Sequence, residues 1–430
     1  METDATRICE LMLDLPDMTI VAFDDSDSAV ARLHVQSKPK RSFCRRCGMQ
    51  ANVKDRPVSE INDLPICGRP LTLVWRKYRW SCPGACGGSW MERRDDIVAV
   101  NCSALTVRAG HWATRQVGAS IRPVSHLAVE LGVSWHTVMD TVSFWAKPLI
   151  DDPLRIGATA SVGVDETCFE SATAEHATTW LGSVVDVEKR FVIDVFEGRQ
   201  SADLTSWLAT RDQAWRDRVT TVVIDLHEPF RAAITNTVTG FTNAQLVADP
   251  FHVVGVGNRA VDKVRRRVQT DVLGHRGRKD DPLYRTRKLL LIAAEKIPKG
   301  SKGKARLEAY LAIGDPNGEV REALQIKEFV RDIYTLWNDE PAARMWVNGI
   351  IDEARISAVK EIKGLGRTLK QWIEPILAWH TTGASNGPTE GLNSVIKKIK
   401  RTAAGFKNRA NYRTRILLAC GNCNWDLLTN

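Results

Sequence analysis

Residues 161–169, Ser-Val-Gly-Val-Asp-Glu-Thr-Cys-Phe, place two carboxylates, Asp165 and Glu166, near the middle of a short apolar run. Such a run reads as a strand, and a charge inside a buried strand is costly unless it is paired, hydrogen-bonded or holding a cation. The plainer reading of Asp165 is a strand-end residue in a loop. The segments C-terminal to it favour the buried strand. Residues 179–187 and 190–197 are β-branched and apolar runs bounded by polar residues, as the second and third strands of a meander would be. A helix over 201–212, a strand over 219–225, a helix over 230–238 and a strand over 244–248 come next. The run at 219–225 is almost wholly apolar, which suits an inner strand of a helix-covered sheet, and Asp225 closes it. The predicted order is three strands, helix, strand, helix, strand, with Asp165 and Asp225 on adjacent strands.

With 430 residues the chain exceeds one hydrophobic core, so two to four domains are expected. A net charge of +9 favours a polyanionic partner such as nucleic acid. No run approaches the roughly 18 apolar residues of a membrane span, and the N-terminus lacks an export signal pattern. Ten cysteines, several in C-x-x-C pairs, point to metal binding in a reducing compartment rather than to disulfides, so a cytoplasmic protein is expected.

Residues 18–22 and 29–35 alternate like small antiparallel strands. Cys44-Arg-Arg-Cys47-Gly and Cys82-Pro-Gly-Ala-Cys86-Gly-Gly then stand on either side of residues 71–80, which alternate like a hairpin strand. Two thiol pairs converging from Gly-containing turns are what a tetrahedral zinc ribbon needs, so Cys44, Cys47, Cys82 and Cys86 are the expected ligands of a structural Zn²⁺. Cys9, Cys67, Cys102 and Cys168 have no partner spacing and read as buried small hydrophobes. Cys420 and Cys423 form a further C-x-x-C with no matching pair near them in sequence.

Residues 124–131 form a short helix, Gly132 a turn, and Ser134 the cap of a second helix over 135–145, broken by Lys147-Pro148 and then Asp151-Asp152-Pro153, the natural linker. This is the helix-turn-helix pattern, whose second helix enters the major groove. Ser134, Trp135, His136 and Thr137 at its start are the base-reading candidates. From 261 to about 374 the chain is helical and rich in Lys and Arg, an insertion rather than a continued sheet. Ser385-Asn-Gly-Pro-Thr-Glu-Gly-Leu-Asn393 then opens a last helix, on or after which Lys397, Lys398, Lys400 and Arg401 supply a basic surface suited to phosphates. Glu390 is the only acid from 385 to 415. It is either a first-turn charge stabilised by the helix dipole or a metal ligand near a phosphate.

Mg²⁺ prefers oxygen ligands, and a site for it needs two or three carboxylates. Asp165, Asp225 and Glu390 supply that set, with Glu166, Glu228, Asp249 and His252 as rivals. The strand order and the two aspartates resemble the ribonuclease-H-like fold, in which the fourth strand neighbours the first, and this favours Asp225 over Asp249. Taken together, the two Cys pairs, VSHLAVELGVSWHTV, VGVDET, VVIDLHEPFRAAI, NAQLVADPFHVV and SNGPTEGLNSVIKKIKRTAAGFKNRANYRTRILL resemble, in order, the ISL3 family of bacterial insertion-sequence transposases. The resemblance implies a DDE transposase that binds the terminal inverted repeats of its element and cuts and joins double-stranded DNA with Mg²⁺ or Mn²⁺. It carries the triad onto Asp165, Asp225 and Glu390. Flanking and target DNA would be further partners, and a homodimer is the expected assembly.

The expected architecture is therefore multidomain. It has a zinc ribbon over 1–100, a helix-turn-helix over 101–150 and the first part of an α/β ribonuclease-H-like core over 155–260. A helical insertion covers 261–380, and the core's C-terminal helix with a basic tail covers 381–430. Two other readings compete: a DNA-binding regulator with an inactive nuclease-like body, and a nuclease or resolvase without strand joining. A binder would have no reason to keep three acids, and a plain nuclease would not need two N-terminal DNA modules.

Overall fold

A computed structural model describes residues 5–428, apart from Pro16, Asn101, Arg276 and Ser301. The chain divides into two units, one formed by residues up to Arg155 together with those from Val395 on, the other by Ile156–Ser394. In the first, helix α1 (Ala5–Leu13) precedes seven strands: β1 (Met18–Asp24), β2 (Ala31–Ser37), β3 (Asn52–Asp55), β4 (Val58–Ile66), β5 (Arg69–Arg76), β6 (Arg79–Ser81) and β7 (Ser89–Met91). They form a four-stranded sheet in the order β1-β2-β5-β4 and a small antiparallel sheet in the order β3-β6-β7. Strict alternation along β2 buries Ala31, Leu33 and Val35 against Leu71, Leu73 and Trp75 of β5.

The expected single strand over 71–80 is two strands in two sheets. Its first half is claimed by that apolar core. Beyond Lys77, Tyr78 and Trp80 stack on each other at 4.8 Å and join a separate cluster with Ala51 and Trp90. Helices α2 (Val107–Gly118), α3 (Val124–Leu131) and α4 (Trp135–Ile150) come next. Gly132 ends α3 at φ 65°, a left-handed conformation that suits glycine, and the Ser134 hydroxyl accepts the Thr137 N–H at 3.0 Å to start α4. The expected end of α4 at Pro148 is not observed. The proline forfeits one helical hydrogen bond, but Leu149 and Ile150 beyond it are buried and hold the last turn in place.

The second unit carries β8 (Ser161–Glu170), β9 (Thr179–Asp186), β10 (Phe191–Glu197), α5 (Ser201–Ala209), α6 (Gln213–Arg218), β11 (Thr221–Ile224), α7 (Glu228–Ile234) and β12 (Gln245–Ala248). Its sheet runs β10-β9-β8-β11-β12: β9 is antiparallel to both β10 and β8, and β8, β11 and β12 are parallel. The fourth strand thus lies beside the first. Helix α8 (Pro250–Leu273) leaves directly from β12, earlier than the sequence pattern suggests, because Asp249 caps it and Pro250 takes the first helical position. Then come α9 (Pro282–Thr286), α10 (Lys304–Gly314), α11 (Glu319–Asp332), α12 (Glu340–Ile356), α13 (Lys360–Gln371), α14 (Ile373–Leu377) and α15 (Trp379–Thr382). One continuous core joins the sheet, through Val162, Val164 and Ile224, to Val253, Val261, Ile326, Val347 and Ile362 of these helices. Helix α16 (Gly387–Thr402) leads back into the first unit, which also holds α17 (Arg409–Cys420). No helix among the described residues is long and apolar enough to cross a membrane.

Candidate active site

The β8–β11 pairing runs in register from Ser161–Thr221 to Val164–Ile224. Asp165 and Asp225 each come directly after the last pair, so they stand at one level on neighbouring strands, where adjacent chains are about 4.8 Å apart. Burial, and after it the charge of Asp165, pushes the Asp225 carboxyl up to about 7. His252 and an amide from Asn386 act in the opposite sense. Glu166, the next residue along β8, is also raised, by burial first and by Asp165 second.

His252, on the first turn of α8, spans two acids. Its Nδ1 lies 3.0 Å from Asp225 Oδ2 and its Nε2 lies 3.3 Å from Glu390 Oε1. Glu390 therefore reaches the same spot from α16, despite its distance in sequence. Asp249 is close to Asp225 and His252 but is otherwise engaged. It is 2% exposed, one oxygen accepts the His252 N–H at 3.3 Å, and the other accepts the Asn386 N–H at 2.7 Å. Glu228 lies apart from this group, at the start of α7, paired with Arg231 at 3.3 Å and Gln371 at 2.8 Å.

The start of α16 carries more than Glu390. Asn386 Nδ2 donates to Asp225 Oδ1 at 3.3 Å, and Asn393 Nδ2 donates to Asp165 Oδ2 at 2.6 Å. Asn393 is itself held by the Ser183 hydroxyl of β9 at 3.1 Å. Residues 386, 390 and 393 fall on one helix face, at i, i+4 and i+7. This close seating requires Gly163: a Cβ there would stand 2.2 Å from Thr389 Oγ1 and 2.8 Å from Asn386 Oδ1.

In the other unit the four ribbon cysteines converge. Sγ–Sγ distances are 3.4 Å for Cys44–Cys86 and Cys47–Cys82, 3.5 Å for Cys47–Cys86 and 3.1 Å for Cys82–Cys86. Backbone N–H groups of Arg46 and Gly84 each point at a sulfur, at 3.4 Å. The Arg46 N–H, with that of Cys47, draws the Cys44 thiol down to about 6. Four sulfurs at this spacing, on two tight turns with amides directed at them, fit a tetrahedral structural zinc.

Comparison with known proteins gives the family of the chain. Residues 162–416 match the DDE transposase family model of the ISL3 type, and residues 40–86 match that for the zinc finger of the IS204, IS1001, IS1096 and IS1165 transposases. The chain belongs to the ISL3 family of transposases. It is 25% identical to the transposase of insertion sequence element IS1001 from Bordetella parapertussis, over 93% of this chain and 94% of that one. It is likewise 25% identical to the transposase of IS1557 from Mycobacterium tuberculosis, over 94% of this chain and 92% of that one.

In this transposase the zinc-finger match spans all four ribbon cysteines. The remaining thiols depart from expectation. Cys9, Cys67 and Cys168 are exposed and Cys102 is half-buried; Cys67 sits in the β4–β5 turn at φ 49°, and Cys168 points off the outer face of β8. At the start of α4, Ser134, Trp135 and His136 are exposed and Thr137 is half-buried. Lys397, Lys398, Lys400 and Arg401 lie beyond Glu390 along α16. Gly163, Asn386 and Asn393 are site residues that reading the sequence misses. The only local trace of the amides is their helical spacing around Glu390.

Proposed function

We propose that this transposase cuts its element from flanking DNA and joins it to a target at a site built from Asp165, Asp225 and Glu390. The observation that carries the reading is the meeting of Asp225 and Glu390 on the two sides of His252, with Asp165 level with Asp225. An all-carboxylate donor set fits Mg²⁺ or Mn²⁺. Such ions, about 4 Å apart, activate a water or a 3′-hydroxyl and stabilise the leaving oxygen of a phosphodiester. Asn386 and Asn393 fix the direction of the two aspartates, and a cation beside the half-buried Asp225 favours the carboxylate form that burial and Asp165 disfavour. Asp249 is buried as the cap of α8 whereas Asp225 is only half-buried, which supports Asp225 as the second acid of the triad.

The five-stranded mixed sheet, three antiparallel strands followed by two parallel ones, supports a ribonuclease-H-like catalytic core over 155–260 followed by the helical insertion at 261–380. Of the expected C-terminal part, 381–430, the segment through Ser394 belongs to the same unit and the rest to the first. On this reading the ribbon within 1–100 holds a structural zinc. The α3–Gly132–α4 pair within 101–150 acts as a helix-turn-helix, with Ser134, Trp135, His136 and Thr137 reading bases of the terminal inverted repeats. Lys397, Lys398, Lys400 and Arg401 contact phosphate beside the carboxylates. A homodimer working on two element ends in the bacterial cytoplasm completes the proposal.

The test uses DNA carrying the ends of the native element with flanks on both sides. With Mg²⁺ the protein should release the flank and join pre-cut 3′ ends to a second duplex. EDTA or Asp165→Asn should stop both while end binding persists. Cutting by Asp165→Asn at the wild-type rate would overturn the site, and a wild-type protein that binds no element end would overturn the DNA reading.

A further inference from the structure

We propose that the groove between α8 and α13 is a track for the phosphate backbone of the duplex beside the cut, a reading that rests on the DNA-transposase function proposed above. Helix α8 starts at the carboxylate site and carries one face away from it. At 100° per residue, His252, Val256, Arg259 and Lys263 lie within an arc of about 60°, and they span about 16 Å along the axis. That length matches about five base-pair steps of B-DNA. Val256, Arg259 and Lys263 line a groove of about 410 Å³ whose opposite wall is Lys360, Gly364 and Thr368 of α13. Lys363, Arg367 and Lys370 of α13 line a separate groove with Asp352 and Arg355 of α12, so the cations of the track are Arg259, Lys263 and Lys360.

A row of cations on a helix is ordinarily just a solvated face. Three observations separate this one. First, all three cations are exposed, and none has an ion-pair partner among the described residues, whereas cations elsewhere on α8 are paired. Arg265 meets Asp262 at 2.6 Å, and Arg267 meets Glu361 at 2.9 Å and Glu319 at 2.6 Å. Glu361, the acid lining the groove, is thereby neutralised. Second, Gly364 sits mid-helix between the cations, and a Cβ there would meet nothing closer than the Arg367 guanidinium at 3.9 Å. Glycine is the poorest helix former after proline, and no packing inside the protein asks for it here. Close approach by a partner's backbone does. Third, the face is continuous with His252, which touches both Asp225 and Glu390.

The occupant is double-stranded DNA, contacted chiefly through phosphates, since the groove offers cations and a bare helix backbone and no Asn, Gln or aromatic side chain. The experiment uses the full chain and two duplex probes, the element end with its flank and the same end cut flush. The triple variant Arg259→Gln/Lys263→Gln/Lys360→Gln should lower the salt slope of binding to the flanked probe by about 2–3. Discrimination between cognate and scrambled ends should not change. Gly364→Leu removes no charge and meets open space, so its Tm should be unchanged or higher, while its affinity for the flanked probe falls roughly tenfold. If either variant binds the flanked probe as the wild type does, the track is wrong, though the carboxylate site may still cut in an Asp165-dependent way. A wild-type protein whose binding shows no salt dependence would sink both readings.

Discussion

The two ligand clusters of this transposase are built in opposite ways. Cys44, Cys47, Cys82 and Cys86 come from two turns of one small ribbon, whose local apolar cluster is Ala51, Tyr78, Trp80 and Trp90. Asp165, Asp225 and Glu390 come from a first strand, a fourth strand and a late helix, held in place by a core that runs through the whole second unit. A cluster so small cannot fix four thiols, so in the ribbon the metal must stabilise the fold. In the second unit the fold fixes the acids, with amides and a glycine seat aiming them before any cation arrives. On the proposed reading, ribbon zinc is part of the folding, and a cation at the carboxylates would be a visitor to a finished frame.

That contrast breaks most sharply under substitution. Glu390→Gln should lower cutting about 10³-fold or more, the equivalent of roughly 4 kcal/mol of barrier, with fold and end binding intact. Cys44→Ser should do the reverse. The zinc content of about one per chain is lost, residues 43–91 lose amide-exchange protection, and end binding falls, while residues 161–377 keep their protection. A Cys44→Ser chain that retains its zinc and its ribbon protection would show that the two sites are alike after all.

A smaller effect tests whether the second frame is truly prearranged. Asn393→Ala removes the amide that donates to Asp165 at 2.6 Å, and Asn386→Ala the one that donates to Asp225 at 3.3 Å. Outer groups that orient a ligand are commonly worth 10–100-fold in metal affinity or activity, and a loss of that size in apparent Mg²⁺ affinity is expected for each. Excess Mg²⁺ should restore much of the rate, as it would not for Glu390→Gln. If the Mg²⁺ dependence is unmoved, the amides serve packing alone.

The same difference governs what can be read from the chain. The ribbon's ligands are legible because their spacing is local, and the strands around Asp165 and Asp225 are legible because buried strands of a helix-covered sheet leave apolar runs. The position of β11 beside β8 comes from likeness to a known fold rather than from any pattern in either strand. The hidden features depend on contacts across the fold. Asn393 and Asp165 are 228 residues apart, and nothing near either shows that they touch. Gly163 looks like one more small residue in a strand until the start of α16 is laid against it. The split of 71–80 into β5 and β6 is of the same kind, since its alternation is equally good in one strand or two. The helical reading runs past the break between Ile356 and Lys360 because Ser357-Ala-Val359 carries neither glycine nor proline.

The smallest expected effect is a pH dependence that runs in opposite directions in the two clusters. Asp225 in the folded chain is raised to about 7 by burial and by Asp165, whereas an aspartate in an unfolded chain titrates near 3.9. Between those values the folded protein holds a proton that the unfolded chain has released, so stability falls as pH rises through the window. The contribution is fully present below about pH 4 and gone above about pH 7. Asp225→Asn keeps the shape and can still accept from Asn386, but it has no proton to lose. In EDTA its stability should therefore be flatter across the window, and at pH 8 its Tm should exceed the wild type's by about 2–4 °C, on the order of 1 kcal/mol. Mg²⁺ at pH 8 should raise the wild-type Tm and leave the variant's nearly unmoved, because the cation supplies the compensation that the crowded carboxylates lack. For Cys44 the sign is reversed: a thiol drawn down to about 6 by the Arg46 N–H favours the folded ribbon near pH 9 and loses that advantage as pH falls through 6, while Cys82, pushed up by its hydrogen bond with Cys86, opposes it only above that window. Parallel wild-type and Asp225→Asn profiles in EDTA would mean that Asp165 and Asp225 do not crowd one another in solution. The prearranged frame would then be no different from the ribbon, waiting for its metal to form.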